Sequence, residues 1–232
     1  MKTFFTSMDT LNDWRNLVVN PNKQWKKGKS ACELATLWWK ADGFPKKVKI
    51  ILENSGIKPF QELVFLIAFP EYKVQIVPQG RQGSQNDLFV LAKGLEGLIV
   101  IMVEGKESED FGELINNLKK PNQKRIDFLL ETLNLKQEHV FQAKIRYQLL
   151  HRTASALIEA ERFNSKTALM LVDSFSPTYK HFEDYAKFLK LFKIEAGKDS
   201  VSGPVRVNGI DLYFAWVAEA KNKEGEASIL TP

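Results

Sequence analysis

Three charged residues stand at the ends of two adjoining apolar runs. Asp87 precedes the run 88–92, and Glu104 and Lys106 follow the run 98–103. Between the runs lies Gly94-Leu95-Glu96-Gly97, a turn signal, so the segment reads as a β-hairpin. If the turn is centred between Leu95 and Glu96, antiparallel pairing sets Asp87 opposite Glu104. Residues directly opposed have Cβ atoms about 4.5–5.5 Å apart. Lys106 lies two residues beyond Glu104 and therefore projects from the same face. Leu-Glu suits a type I′ turn poorly, which favours a four-residue loop with the same centre over a two-residue one. A slip of one residue would send the two acids to opposite faces.

Opposed carboxylates at the end of a buried hairpin repel each other, and a divalent cation would turn that repulsion into a ligand set. Hard ions such as Mg²⁺ take one or two carboxylates and fill their other positions with water. A neighbouring ammonium group could then orient or deprotonate metal-bound water, or neutralise charge developing on a phosphate. Plainer roles exist for the same residues. Asp87 can close a polar loop. Glu104 and Lys106 can mark a solvated strand end, and the three together a surface ion pair contributing about 0–1 kcal/mol.

The elements that must position these groups follow from the apolar pattern. Both hairpin runs are apolar at odd and even positions alike, as in central strands covered on both faces. A helix opens at Ser30 and carries Leu34, Leu37, Trp38 and Trp39 before Asp42-Gly43 ends it. A second helix is expected from Pro45 to Ser55, closed by Gly56. Residues 60–69 fit helix or strand equally, and 73–77 reads as a short strand before a polar loop over 78–86. Residues 105–121 read as irregular. Helical patterns cover 123–133 and 141–162, strands 167–172 and 212–218, and an amphipathic helix 178–192, with a loose tail after Lys221. This order suits an α/β protein tending to α+β, with a single mixed β-sheet and helices on both faces. The whole chain, 1–232, is expected to form one domain, with a core over about 30–175 and terminal extensions packed on it.

On the helix expected at 141–162, Gln148, Arg152, Ser155 and Glu159 share one face at spacings of three and four and read as a polar, solvated stripe. His151 reads as a surface histidine, and His139 and His181 have no ligand pattern around them. Ser30-x-x-Glu33 has the form of a capping box. Cys32 reads as buried rather than reactive. The basic run Lys23 to Lys29, which includes Trp25, reads as solvated surface able to meet nucleic acid by charge and stacking.

Asp87, an apolar strand and Glu104-Gly105-Lys106 resemble the PD-(D/E)xK, or restriction-endonuclease-like, nuclease superfamily. The flanking text, Ser84-Gln85-Asn86-Asp87-Leu88-Phe89 and Val103-Glu104-Gly105-Lys106, is similar to that of an uncharacterised bacterial protein family placed in it. Asn86 stands where the superfamily pattern often has proline. The resemblance implies a restriction-endonuclease-like core and Mg²⁺ (or Mn²⁺) held by Asp87 and Glu104. Glu33 on the first helix would assist the metal, Lys106 would activate water, and Gln148 would position the water or a phosphate. The implied activity is hydrolysis of phosphodiester bonds in DNA. The alternative is a catalytically inactive module of that fold that binds nucleic acid or protein.

The bulk numbers set outer limits. With 232 residues, 44% of them hydrophobic, the chain can bury one sizeable core. A single cysteine excludes an internal disulfide and a cysteine-based zinc site, and favours a reducing, cytoplasmic setting. No apolar run approaches the roughly 20 residues needed to cross a bilayer, so no membrane partner is expected. The net charge of +5 is compatible with a polyanion such as DNA. A homodimer is left open.

Overall fold

The computed structural model describes residues 8–77 and 83–219. Most of the polar loop at 78–86 and the tail after Lys221 lie outside the described residues. The described residues are built on one mixed sheet of six strands. β1 (Val64–Val74), β2 (Ser84–Gly94) and β3 (Gly97–Lys106) form an antiparallel meander. β4 (Thr167–Ser174) runs parallel to β3, and β6 (Ile210–Ala218) parallel to β4. β5 (Ser200–Val207) pairs antiparallel with β6 on the far edge, giving the order β1-β2-β3-β4-β6-β5.

Helices cover both faces, as the doubly apolar runs require. One face packs against α1 (Leu11–Leu17), α3 (Ser30–Ala41) and α4 (Lys46–Glu53); the short α2 (Pro21–Gln24) lies between α1 and α3 in the chain. The other face packs against α5 (Gln123–Thr132), α6 (Gln137–Gln142), α7 (Tyr147–Arg162) and α8 (Phe182–Lys190). Alternation along β2 and β3 divides their side chains between the two clusters. Leu88, Val90, Ile101 and Val103 enter the first, and Phe89, Val100 and Met102 the second. The parallel pairing of β3 and β4 demands a crossover, and α5 to α7 supply it, with α7 lying on the sheet.

The ambiguous segment 60–69 is strand from Val64 onward, where it pairs with β2 as far as Val74, while Phe60 closes a single 3-10 turn. The helix expected over 141–162 is two helices. Lys144 has a φ of 51°, and the Ile145 carbonyl accepts from the Ile115 amide at 2.9 Å, which draws the backbone out of helical geometry. β5 escapes the sequence reading because Gly203 and Pro204 interrupt it, as is tolerated on an edge strand. The hairpin turn is also tighter than expected. Gly94 pairs with Gly97, leaving a two-residue loop, and Gly97 takes the positive φ of 120°. At Gly94 a Cβ would fall 1.8 Å from the Pro59 carbonyl oxygen, so only glycine fits.

Candidate active site

The hairpin register decides where the charged groups meet. Its recorded pairs run from Leu88↔Val103 to Gly94↔Gly97, centred between Leu95 and Glu96 as the sequence implies. Asp87 and Glu104 are the next positions outward. The Asp87 Oδ2 accepts from the Gly105 amide at 2.9 Å, which ties the first acid to the strand carrying the second. Lys106 Nζ donates to Glu104 Oε1 at 2.7 Å, so the lysine and glutamate do share a face. Between them stands Gly105, where a Cβ would meet the Leu34 side chain of α3 at 3.3 Å.

α7 brings the rest from across the crossover. Gln148 Oε1 accepts from Lys106 Nζ at 3.0 Å. Arg152, one helical turn on, donates through Nε to Glu104 Oε2 and places a terminal nitrogen 3.6 Å from Asp87 Oδ1. One guanidinium thus spans both acids. Lys106 also lies 4.9 Å from the centre of the Phe111 ring. Glu104 and Lys106 are 1% and 3% exposed, so the strand end is a buried ion cluster rather than the solvated surface pair of the plainer reading. Asp87 alone keeps a moderate opening, its side chain 21% exposed.

These groups line a cleft of about 300 Å³ that also includes Glu71, Gln85, Glu109 and Asp110. Sequence reasoning passed over Glu71. It lies mid-strand in β1 with a φ of 51°, an uncommon conformation for a residue other than glycine and costing on the order of 1–3 kcal/mol. Gln85 Nε2 holds its Oε2 at 2.7 Å. Only that backbone irregularity marks Glu71, and no residue spacing foretells it. Glu33 is not brought in: the cleft lining does not include it, and its Oε1 accepts from the Gly28 amide at 2.6 Å. The expected capping box is replaced too, since Ser30 donates from both its amide and hydroxyl to Glu109. Glu109 therefore reaches the first turn of α3 from the loop after β3.

The polar stripe of α7 is buried rather than solvated: Arg152, Ser155 and Glu159 are all interior. His151 is half-buried, with Nδ1 2.7 Å from Ser84 Oγ. Burial, then Arg152, Arg125 and Lys106, hold its imidazole well below the ordinary histidine range and keep it neutral. Cys32 is half-buried, and burial pushes its thiol up. His139 is exposed, and His181 sits 3.2 Å from the Ser108 carbonyl oxygen, both away from the cleft. In the basic run the lysines are exposed, Trp25 packs partly into the core, and Gln24 lines the cleft.

Charge in the cleft is unevenly compensated. Burial raises the Glu104 carboxyl, but Arg152 and Lys106 outweigh it and hold the group below the usual range. Asp87 goes the other way: burial, then Glu104, push it up to about 8 against the pull of Arg152. Burial raises Glu71 as well. Three acids thus face two buried cations, and Asp87 is left short of positive charge. A carboxyl raised in the folded state holds its proton where the unfolded chain has released it. Its contribution therefore falls as pH rises from about 4 to about 8. Thermal melts of the metal-free protein between pH 5 and 8.5 should show that decline, flattened in Asp87→Asn. A slope unchanged in the variant would exclude Asp87 as its source. Asp173, raised by burial to about 8 beside Glu219, retains part of the slope in both proteins.

Among the described residues, no group of three or more His, Cys, Asp or Glu side chains is arranged to hold a metal ion. The donor set nevertheless fits a hard divalent cation that takes one or two carboxylates and completes its shell with water and phosphate. Asp87 shares Arg152 with Glu104, at 3.6 Å, and each oxygen of a carboxylate can accept more than the one partner found on Glu104. Among the described residues, no helix is long and apolar enough to cross a membrane. A family described as a domain of unknown function (DUF6946) matches the chain over residues 7–221. No curated protein and no solved structure matches it.

Proposed function

We propose that this chain, which belongs to the DUF6946 family, is a metal-dependent nuclease that hydrolyses phosphodiester bonds, in DNA by preference. The observation that carries the reading is the convergence of Asp87, Glu104 and Lys106 at one strand end, with a carboxylate short of positive charge. The antiparallel meander followed by a parallel strand supports a restriction-endonuclease-like core, since the superfamily motif falls on the same strands. Asp87 and Glu104 would hold Mg²⁺ or Mn²⁺, and Glu71, unlike Glu33, is a further acid on the same cleft. When bound, the metal supplies Lewis-acid polarisation of a phosphate oxygen and an acidified water.

The protein's own groups do the positioning. An ammonium has three donors. Glu104 and Gln148 engage two of those on Lys106, which leaves one for the attacking water or a non-bridging phosphate oxygen. Gln148 fixes the direction of that third donor. Arg152 keeps Glu104 ionised and ready as a ligand. The exposed lysines at 23–29 supply positive charge for a polyanion in the chain segment that also provides Gln24 to the cleft.

Purified protein incubated with end-labelled DNA and Mg²⁺ or Mn²⁺ is expected to cleave it, and EDTA to stop cleavage. The same ions are expected to raise the melting temperature more at pH 8 than at pH 6, because they displace the proton from Asp87. Absence of both cleavage and the metal-dependent shift would end the reading. A second reading is favoured by the two cations already on Glu104: the fold is kept for binding nucleic acid or protein without turnover. Salt-sensitive DNA retention without cleavage would support it.

A further inference from the structure

A second cavity, of about 490 Å³, adjoins the catalytic cleft. It is lined by Lys73 of β1, Lys120 before α5, Arg125 of α5 and Tyr147 of α7, with Gln85 and Asn122 completing its walls. Gln85 belongs to both cavities: it lines the cleft beside Glu71, whose carboxylate it holds at 2.7 Å, and it lines the second cavity beside Lys73. Tyr147 and Gln148 repeat the arrangement on the opposite wall, the first facing the second cavity and the second the cleft. Among the described residues, three cationic side chains and no acid line the second cavity, whereas the cleft carries five acids. Arg125 Nε donates to the Tyr147 hydroxyl at 2.9 Å, which joins two of the lining residues.

We infer that this cavity binds the backbone phosphate next to the scissile one, on a single strand threaded past Gln85. The charge pattern suits a phosphodiester: cations stand where the chain must be held, and acids where a metal must sit. A single strand suits the site better than a duplex, because Glu104 and Lys106 are almost wholly buried and a flexible strand bends toward them more readily than a rigid helix. Tyr147, half-buried at the mouth, offers a face on which a base can stack, as single-strand binders use. Lys73 and Lys120 are exposed, so they can be changed without disturbing the core.

The inference rests on the nuclease reading, and its test separates the two. The double variant Lys73→Gln/Lys120→Gln and the unaltered protein are titrated with a fluorescent single-stranded 12-mer DNA in EDTA over a range of salt. Each neutralised single-strand phosphate contributes about 0.7 to the slope of log affinity against log salt, and the cavity takes one, so the variant slope should fall by about 0.7. Its affinity should drop roughly tenfold at low salt, with the 12-mer duplex binding more weakly than the strand to the unaltered protein. In Mg²⁺, both proteins should hydrolyse bis(p-nitrophenyl) phosphate, which has no neighbouring phosphate, at equal rates. Equal binding and equal salt slopes, or tighter binding of the duplex, would overturn the inference. So would an equal loss of 12-mer binding and bis(p-nitrophenyl) phosphate hydrolysis, which would mark a general structural effect. If neither protein hydrolyses anything, the nuclease reading fails while the binding titration still decides the role of the cavity.

Discussion

Under the proposed nuclease function, Lys106→Met should reduce phosphodiester cleavage about 10²–10⁴-fold, the range for removing a general acid–base group or an electrostatic stabiliser of the transition state. Methionine matches the aliphatic stem and keeps the contact with Phe111, while Glu104 retains Arg152 as its counter-ion. The fold should therefore survive, as near-UV circular dichroism and a cooperative melt would report. Lys106→Arg refines the assignment. It restores positive charge but cannot give up a proton near neutral pH, so recovery of activity identifies charge stabilisation and its absence identifies proton transfer. Single-turnover cleavage under saturating metal separates chemistry from product release. Activity within tenfold of the parent for Lys106→Met would remove the lysine from the mechanism.

Arg152 gives the larger effect on stability. It is 6% exposed and touches both Glu104 and Asp87. Arg152→Ala would leave Glu104 buried with Lys106 alone, and breaking a buried pair from one side costs about 3–5 kcal/mol. In a chain of this size each kcal/mol moves the melting temperature by about 2–4 °C, so a fall on the order of 10 °C is expected. Removing both partners with Glu104→Gln and Arg152→Met should recover only part of the loss, because Lys106 then lies buried without its carboxylate partner. The surface pair Arg206–Asp211, 2.7 Å long but with side chains 60% and 34% exposed, is the control, and its loss should cost under about 1 kcal/mol. Urea denaturation of the four proteins measures all of this. A cost below 1 kcal/mol for Arg152→Ala would mean that solvent already screens the pair. As a counter-ion with both acids engaged, Arg152 is committed before any phosphate arrives.

The cleft was legible in the sequence where local geometry controls it. Strand alternation and the turn centre were enough to place Asp87 opposite Glu104, and Lys106 beside it. They were not enough to size the loop, because the close approach of Gly94 to Pro59 is a tertiary contact. Gln148 and Arg152 were visible as one helix face, but the same spacing describes a solvated stripe and an interior one. Glu33 shows the opposite failure. The resemblance gave it a place beside a metal, yet the loop before α3 supplies the Gly28 amide to its carboxylate, and Glu109 reaches the start of that helix instead. Glu71 left no pattern because a left-handed residue inside a strand breaks the alternation on which patterns depend.

The sequence by itself determined the mixed sheet, its helical cover on both faces and the shared face of three charged residues, because a strand alternates with period two whatever surrounds it. Only the tertiary structure decided how that charge is balanced. Arg152 and Gln148 arrive from a helix 48 and 42 residues further along the chain, and Glu71 from the strand before. Which cation meets which acid depends on how a crossover helix packs on the sheet, a long-range contact that residue spacing does not encode.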